Sequence, residues 1–173
     1  MIRSANLSDI GRLTAIYNEA ILEGGLTGDL EPLSVDNRRQ WFIEHGTPYG
    51  IFVKVVEASV VGYAALSPYR KGRGAFGETC ELSYYLAKSH RGRRLGAELA
   101  RRAIHEASHS GFRLIMAAVL GCNQTSINLL TKLEFSIMGR LPDAARVNTT
   151  YVDHIYLARA LAPNGALPRD ESR

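Results

Sequence analysis

Apolar positions first recur at helical spacing between Ile10 and Ile21, where Ile10, Leu13, Ile16, Tyr17, Ala20 and Ile21 share one stripe. Ser8 stands ahead of that stripe as a candidate N-cap, and Gly24 and Gly25 close it. The short apolar run at 2–5 predicts a strand before this helix. A second helix is expected after Ser34, carrying Trp41, Phe42 and Ile43. The β-branched runs 51–57 and 60–66 read as strands, and Ala58 and Ser59 between them suggest a tight hairpin without the favoured Asn-Gly chemistry. Pro68 marks a strand end. Strand character returns at 79–87. Leu95, Leu99, Ala103 and Ile104 then form one stripe of a helix over 97–109, which Gly111 ends. The apolar run 113–120 predicts a buried strand, Asn123 a cap for one more helix, and 135–141 and 150–158 two closing strands.

The predicted order is therefore β, α, α, three antiparallel strands, α, β, α, β, β, an α/β (α+β) chain. The unit from 80 to 120 would pair its two strands in parallel through a right-handed crossover. One domain is expected over 1–161. The Pro-, Asn- and charge-rich stretch 162–173 reads as a frayed tail. Two loops stand out, 24–33 and 70–78, each with three glycines. The first reads as a connector or as a lip over a site, the second as a solvated loop or a substrate contact.

The chemistry concentrates in Arg91-Gly92-Arg93-Arg94-Leu95-Gly96, which joins a strand to a helix N-terminus. Unpaired main-chain N–H groups and the positive end of the helix dipole meet there, and glycines let a bulky ligand approach the backbone. A pyrophosphate fits such a turn; a solvated basic loop fits the turn alone equally well. No Gly-Lys-Ser/Thr follows, and Gly-x-Gly-x-x-Gly does not occur, so neither a P-loop nor a dinucleotide fingerprint is present. Composition narrows the field further. The 173 residues are 46% hydrophobic and 22% charged, which suits one globular domain. The net charge of +4 is gathered near 91–102, which favours a local anion site over a nucleic-acid surface. No apolar run approaches a membrane span or a signal-peptide core. Cys80 and Cys122 have no metal-type spacing and read as free thiols of a cytoplasmic protein.

With the His90-Arg91-Gly92-Arg93-Arg94-Leu95-Gly96 turn, Asn123 with Ser126, and Lys132-Leu133-Glu134-Phe135, the chain resembles the GCN5-related N-acetyltransferase (GNAT) superfamily. Ala15-Ile16-Tyr17-Asn18-Glu19-Ala20, Trp41-Phe42, Pro68-Tyr69-Arg70, Thr79-Cys80-Glu81-Leu82-Ser83 and Tyr151-Val152-Asp153 make it similar to the phosphinothricin and methionine sulfoximine acetyltransferases within it. The resemblance implies the GNAT fold: a mixed, mostly antiparallel sheet splayed at two parallel strands, with helices on both faces. It implies that the backbone of Tyr84, Tyr85 and Leu86, on a bulged strand, bonds the pantetheine arm of acetyl-CoA. Arg91, Gly92, Arg93, Arg94, Leu95 and Gly96 would cradle the pyrophosphate, Asn123 would bond the cofactor near the thioester, and Glu81 would be the general base. An alkyl amine, mostly protonated at neutral pH, needs such a base before it can attack a thioester. No metal is implied. The acceptor would be a small amine, with no nucleic acid or membrane involved, and the protein a homodimer.

Departures from the family pattern bear mostly on the acceptor. Arg94 and Glu134 stand where the family has glycine. Leu130 stands where many relatives place a Tyr or His that protonates the thiolate. Phe76-Gly77 replaces an aromatic–Arg pair, and Val147 stands where near relatives tend to have lysine. Arg70, Arg73 and Thr79 are then the expected acceptor contacts, with an arginine substituting for the missing carboxylate clamp. The alternative acceptors are a polyamine, an aminoglycoside or a protein N-terminus; a basic loop at 70–78 suits an acceptor with a carboxylate better than a polycation. A non-catalytic acyl-CoA-binding module is the other reading.

Overall fold

Ile2–Ser4 (β1), Ile51–Val56 (β2), Ser59–Pro68 (β3), Thr79–Leu86 (β4), Leu114–Leu120 (β5), Ser136–Val147 (β6) and Thr150–Ala160 (β7) join into one sheet in a computed structural model. The structure describes residues 1–161, so the expected tail lies outside the described residues. The sheet order is β1-β2-β3-β4-β5-β7-β6. β4 and β5 are parallel, as the crossover requires; the other pairs are antiparallel.

Strand alternation sends side chains to two cores. Leu13 and Ile16 of the helix Ile10–Glu23 (α1) pack on Val53, Tyr63 and Ala65, joined by Trp41 and Phe42 of Val35–Ile43 (α2). On the other face, Leu99, Ala103 and Ala107 of Leu95–His109 (α3) and Leu130 of Gln124–Lys132 (α4) cover Ala64, Leu66, Cys80, Leu82 and Ile115. Helices thus lie on both faces. Leu130 is fully buried in that second core.

The parallel pairing is short. Thr79, Cys80 and Glu81 pair with Leu114, Ile115 and Met116, and no pair follows. β4 stays with β3 as far as Leu86, while β5 stays with β7 as far as Leu120. The sheet therefore splays just past Glu81.

Several local expectations are corrected. The bulge expected in β4 is absent: its pairing with β3 runs unbroken from Cys80 to Leu86, and the splay alone frees its other edge. Asn6, not Ser8, caps the first helical turn; it accepts from Ser8 N–H, and Asp9 reciprocates to Asn6 N–H. The β2–β3 turn is Glu57-Ala58, both at positive φ (47° and 63°), which gives the hairpin its favoured twist without glycine. α3 begins at Leu95 rather than 97. β6 does not stop at 141: it bulges between Leu141 and Ala145, with Asp143 at φ 51°, and resumes to Val147. Ser34, Gly24 and Asn123 cap and close their helices where the sequence placed them.

Candidate active site

Two faces of β4 divide the site. Thr79, Glu81, Ser83 and Tyr85 point to the α1/α2 side, while Cys80, Leu82, Tyr84 and Leu86 point to the α3/α4 side. Glu81 is half-buried at the last pair of the parallel ladder. Burial raises its carboxyl above the ordinary range, and no ion pair or hydrogen bond to its side chain is made among the described residues. A carboxylate prepared in this way can accept a proton.

The turn before α3 lies where β4 ends. Arg91 N–H bonds the Lys88 carbonyl, but the main-chain N–H groups of residues 92–96 have no partner among the described residues. Gly92 takes φ 76° and Arg94 φ 62°, so the chain curls into the concave, N–H-lined form that holds anions. At Gly96 a Cβ would lie 3.4 Å from both Leu129 and Leu86, ordinary van der Waals contact, so α3 packs against β4 and α4 there. Arg93 and Arg94 are exposed and make no ion pair among the described residues. Arg91 is different. Its guanidinium bonds the Leu86 carbonyl (3.2 Å) and Glu23 (2.7 Å). These groups fit a pyrophosphate: backbone donors, two free cations and one arginine that braces the turn.

Asn123 caps α4 with its side-chain oxygen on Ser126 N–H (3.1 Å), and its amide N–H groups make no hydrogen bond among the described residues. The Tyr84 hydroxyl is buried near Ser126 without a well-formed hydrogen bond. Tyr85 packs edge-on against Tyr17 at 4.8 Å. The Tyr17 hydroxyl bonds Thr27 and Asp29, both at 2.7 Å. Asn18 holds the N–H and carbonyl of Leu33, and Cys122 donates to the Gly25 carbonyl at 3.7 Å. Loop 24–33 is thus anchored beside α1, with Cys122 holding its start. Val147 packs toward its start, where a Cβ on Gly24 would lie 3.7 Å away.

Of the expected acceptor contacts, the structure brings Thr79 onto the face of Glu81, two residues away. Arg70 and Arg73 stay exposed in loop 69–78, the former 5.7 Å from the Tyr69 ring. Lys71 ties that loop to Glu44 of the α2 end at 2.9 Å. The sequence reading missed two groups on the Glu81 side. Arg38, only 6% exposed, stacks on Trp41 at 3.6 Å and donates to the Tyr63 hydroxyl at 2.9 Å. Its spacing from Trp41 on one helix was the available signal. His45 and Ser67, 22 residues apart, meet at 3.1 Å and left no local signal. Among the described residues no cluster of three or more His, Cys, Asp or Glu could hold a metal ion, and no helix is long and apolar enough to cross a membrane.

A sheet opened beside a carboxylate, with an N–H-lined turn where β4 ends, fits the class of acyl-CoA-dependent transferases. Residues 13–135 match the family described as Acetyltransferase (GNAT) family. The chain belongs to this family of N-acetyltransferases, whose acyl donor is acetyl-CoA. It is 31% identical over 169 residues to an L-methionine sulfoximine/L-methionine sulfone acetyltransferase of Pseudomonas aeruginosa, covering 96% of this chain and 98% of the relative. It is 32% identical over 158 residues to an L-amino acid N-acyltransferase of Escherichia coli, covering 90% of this chain and 91% of the relative. Among solved structures, a phosphinothricin acetyltransferase from Sinorhizobium meliloti in complex with acetyl-CoA superposes with a TM-score of 0.92 at 27% identity, covering 99% of this chain and 94% of that one.

Proposed function

We propose that this enzyme acetylates the primary amine of a small, amino-acid-like acceptor, of the phosphinothricin or methionine sulfoximine type, by direct attack within a ternary complex. The observation that carries this reading is Glu81: a half-buried, unpaired carboxylate where the sheet opens. The substrates named for the relatives support the acceptor class. Glu81 takes one proton from the ammonium of the acceptor. The freed nitrogen then attacks the thioester carbonyl, the C–N bond forms, the C–S bond breaks, and a second nitrogen proton ends on the sulfur. The main-chain donors at 92–96 hold the pyrophosphate throughout, and the free edge of Tyr84 to Leu86 orients the arm. An acetyl-cysteine route through Cys80 finds no support: the side chain is fully buried and burial pushes its thiol up to about 12. Leu130 cannot donate a proton, and the Tyr84 hydroxyl, raised by burial, is a reluctant donor.

Arg70 and Arg73, with Thr79, are the carboxylate-side contacts in this reading. It also includes a cytoplasmic homodimer. Exposed Ile137, Met138, Leu141 and Tyr151 on the β6–β7 hairpin support the dimer. The deciding experiment follows free thiol while acetyl-CoA is presented with methionine sulfoximine, phosphinothricin, L-amino acids, spermidine and an aminoglycoside. Turnover confined to the amino-acid-like amines is the expected outcome. Turnover confined to the polyamine or the aminoglycoside, or CoA binding with no turnover, overturns the proposal.

A further inference from the structure

Ser67 and Glu81 are direct partners across the β3–β4 ladder, so their side chains rise from the same face. Such partners have Cβ atoms about 5 Å apart, close enough for both to reach one small group. Behind Ser67 stands His45, just past the end of α2. Its Nδ1 lies 2.7 Å from the Trp41 carbonyl oxygen, which can only accept, so Nδ1 carries a proton. Its Nε2 lies 3.1 Å from Ser67 Oγ. In the neutral ring, Nε2 is therefore an acceptor, and the Ser67 hydroxyl donates its hydrogen bond to it. Burial lowers His45, which keeps the ring neutral at neutral pH. With its own proton committed, the Ser67 oxygen can only accept from a further donor on the Glu81 side.

We propose that Ser67 is a second binding group for the attacking amine, its oxygen accepting a hydrogen bond from the acceptor nitrogen beside Glu81, and that His45 is a positioning residue that keeps this oxygen an acceptor. The inference rests on the reading of Glu81 as the base. An ammonium has three N–H donors, and one carboxylate alone does not fix its direction. With Ser67 and Glu81 across a single rung, the nitrogen is held by two acceptors and its lone pair, once freed, has a set direction. When His45 becomes charged, its Nε2 turns donor to Ser67, and Ser67 can give its proton to the nitrogen side or to Glu81. The arrangement is lost. Besides burial, the charged groups that act on this titration are Arg38 on α2, Glu44 just past its end and Lys71 in the β3–β4 loop; Glu81 faces Ser67 from across the ladder.

The test compares wild type with Ser67→Ala, His45→Gln and Glu81→Gln, using the best amine of the panel above and measuring kcat/KM across the titrations of both groups. S67A should lose about 10- to 100-fold in kcat/KM for the acceptor while the KM for acetyl-CoA stays unchanged. H45Q offers an amide oxygen that accepts the Ser67 proton but does not titrate. Its acid limb should follow one proton, where the wild type is steeper. A merely structural tie between α2 and β3 would leave the shape of that limb alone. S67A within about twofold of wild type, or an H45Q profile superimposable on wild type, overturns the proposal. Loss of rate in E81Q alongside an unaffected S67A sinks this inference only; a wild-type rate in E81Q sinks the reading of Glu81 on which it rests.

Discussion

Arg91 reaches Glu23 across 2.7 Å, so the last residue of α1 is tied to the first residue of the N–H-lined turn before α3. The same guanidinium bonds the carbonyl at the end of β4, and Lys88 adds a second, longer contact to Glu23 at 3.5 Å. In the proposed site Arg91 would therefore serve the cofactor by bracing backbone. Arg91→Ala should raise the KM for acetyl-CoA about tenfold, with little change for the acceptor. Glu23→Gln should do less. Because the two act as one unit, the double variant should be no worse than R91A alone, and additive losses in a steady-state cycle would contradict this.

Arg94 shows the cost of that turn. Its φ of 62° is a left-handed conformation that costs a side-chain-bearing residue roughly 1–2 kcal/mol. Arg94→Gly should raise the urea midpoint. It also removes one of two unpaired cations at the turn, so acetyl-CoA should bind more weakly. Stability and KM should rise together; a fall in stability would show that the Arg94 side chain makes compensating contacts.

Glu81 should set both rate and stability. Glu81→Gln should lower kcat by about 10²–10⁴, with the largest loss at low pH, where free amine is rarest. Burial raises this carboxyl, so its contribution to stability is present below the unfolded value and lost as pH rises through the folded one. At neutral pH the glutamine variant should therefore melt no lower than wild type, and higher if the carboxylate is ionised. A lower melting temperature would place Glu81 in the structural scaffold.

Asp9 works in the opposite sense. Arg3 donates to it at 2.7 and 2.9 Å, and Asn6 N–H adds a third bond at 2.8 Å, so its carboxyl is held below the usual range. Its stabilisation is present above the unfolded value and lost as pH falls through the folded one. Asp9→Asn should cost about 2 kcal/mol at neutral pH, and the deficit should shrink in acid. An unchanged difference between the two melting curves at low pH would refute the assignment.

The elements legible in the sequence were those written in local pattern. The stripe of α1, the cap residues Ser34 and Asn123 and the parallel pairing of the central unit needed only periodicity and turn chemistry. Arg94 and Glu134, both non-glycine, hold φ 62° and 66°, a conformation that residue type alone gave no reason to expect. Glu134 is further tied to Arg159 at 2.8 Å. The position of Glu81 at the mouth of the splay depends on where β5 stops pairing, which is a tertiary fact. The meeting of His45 with Ser67 depends on how α2 lies across β3, and no short-range signal encodes it.

Three rungs hold the front half of the sheet to the back half. If the amide-bearing arm of the acyl donor lies along the free edge of β4, as proposed, it stands in for the missing strand contacts and the donor is a structural member as well as a reactant. Each catalytic cycle would then remove and replace a piece of the protein's own cohesion. Amide exchange along Leu82 to Leu86 and Ala117 to Leu120 would slow when CoA is bound, before any acceptor is added.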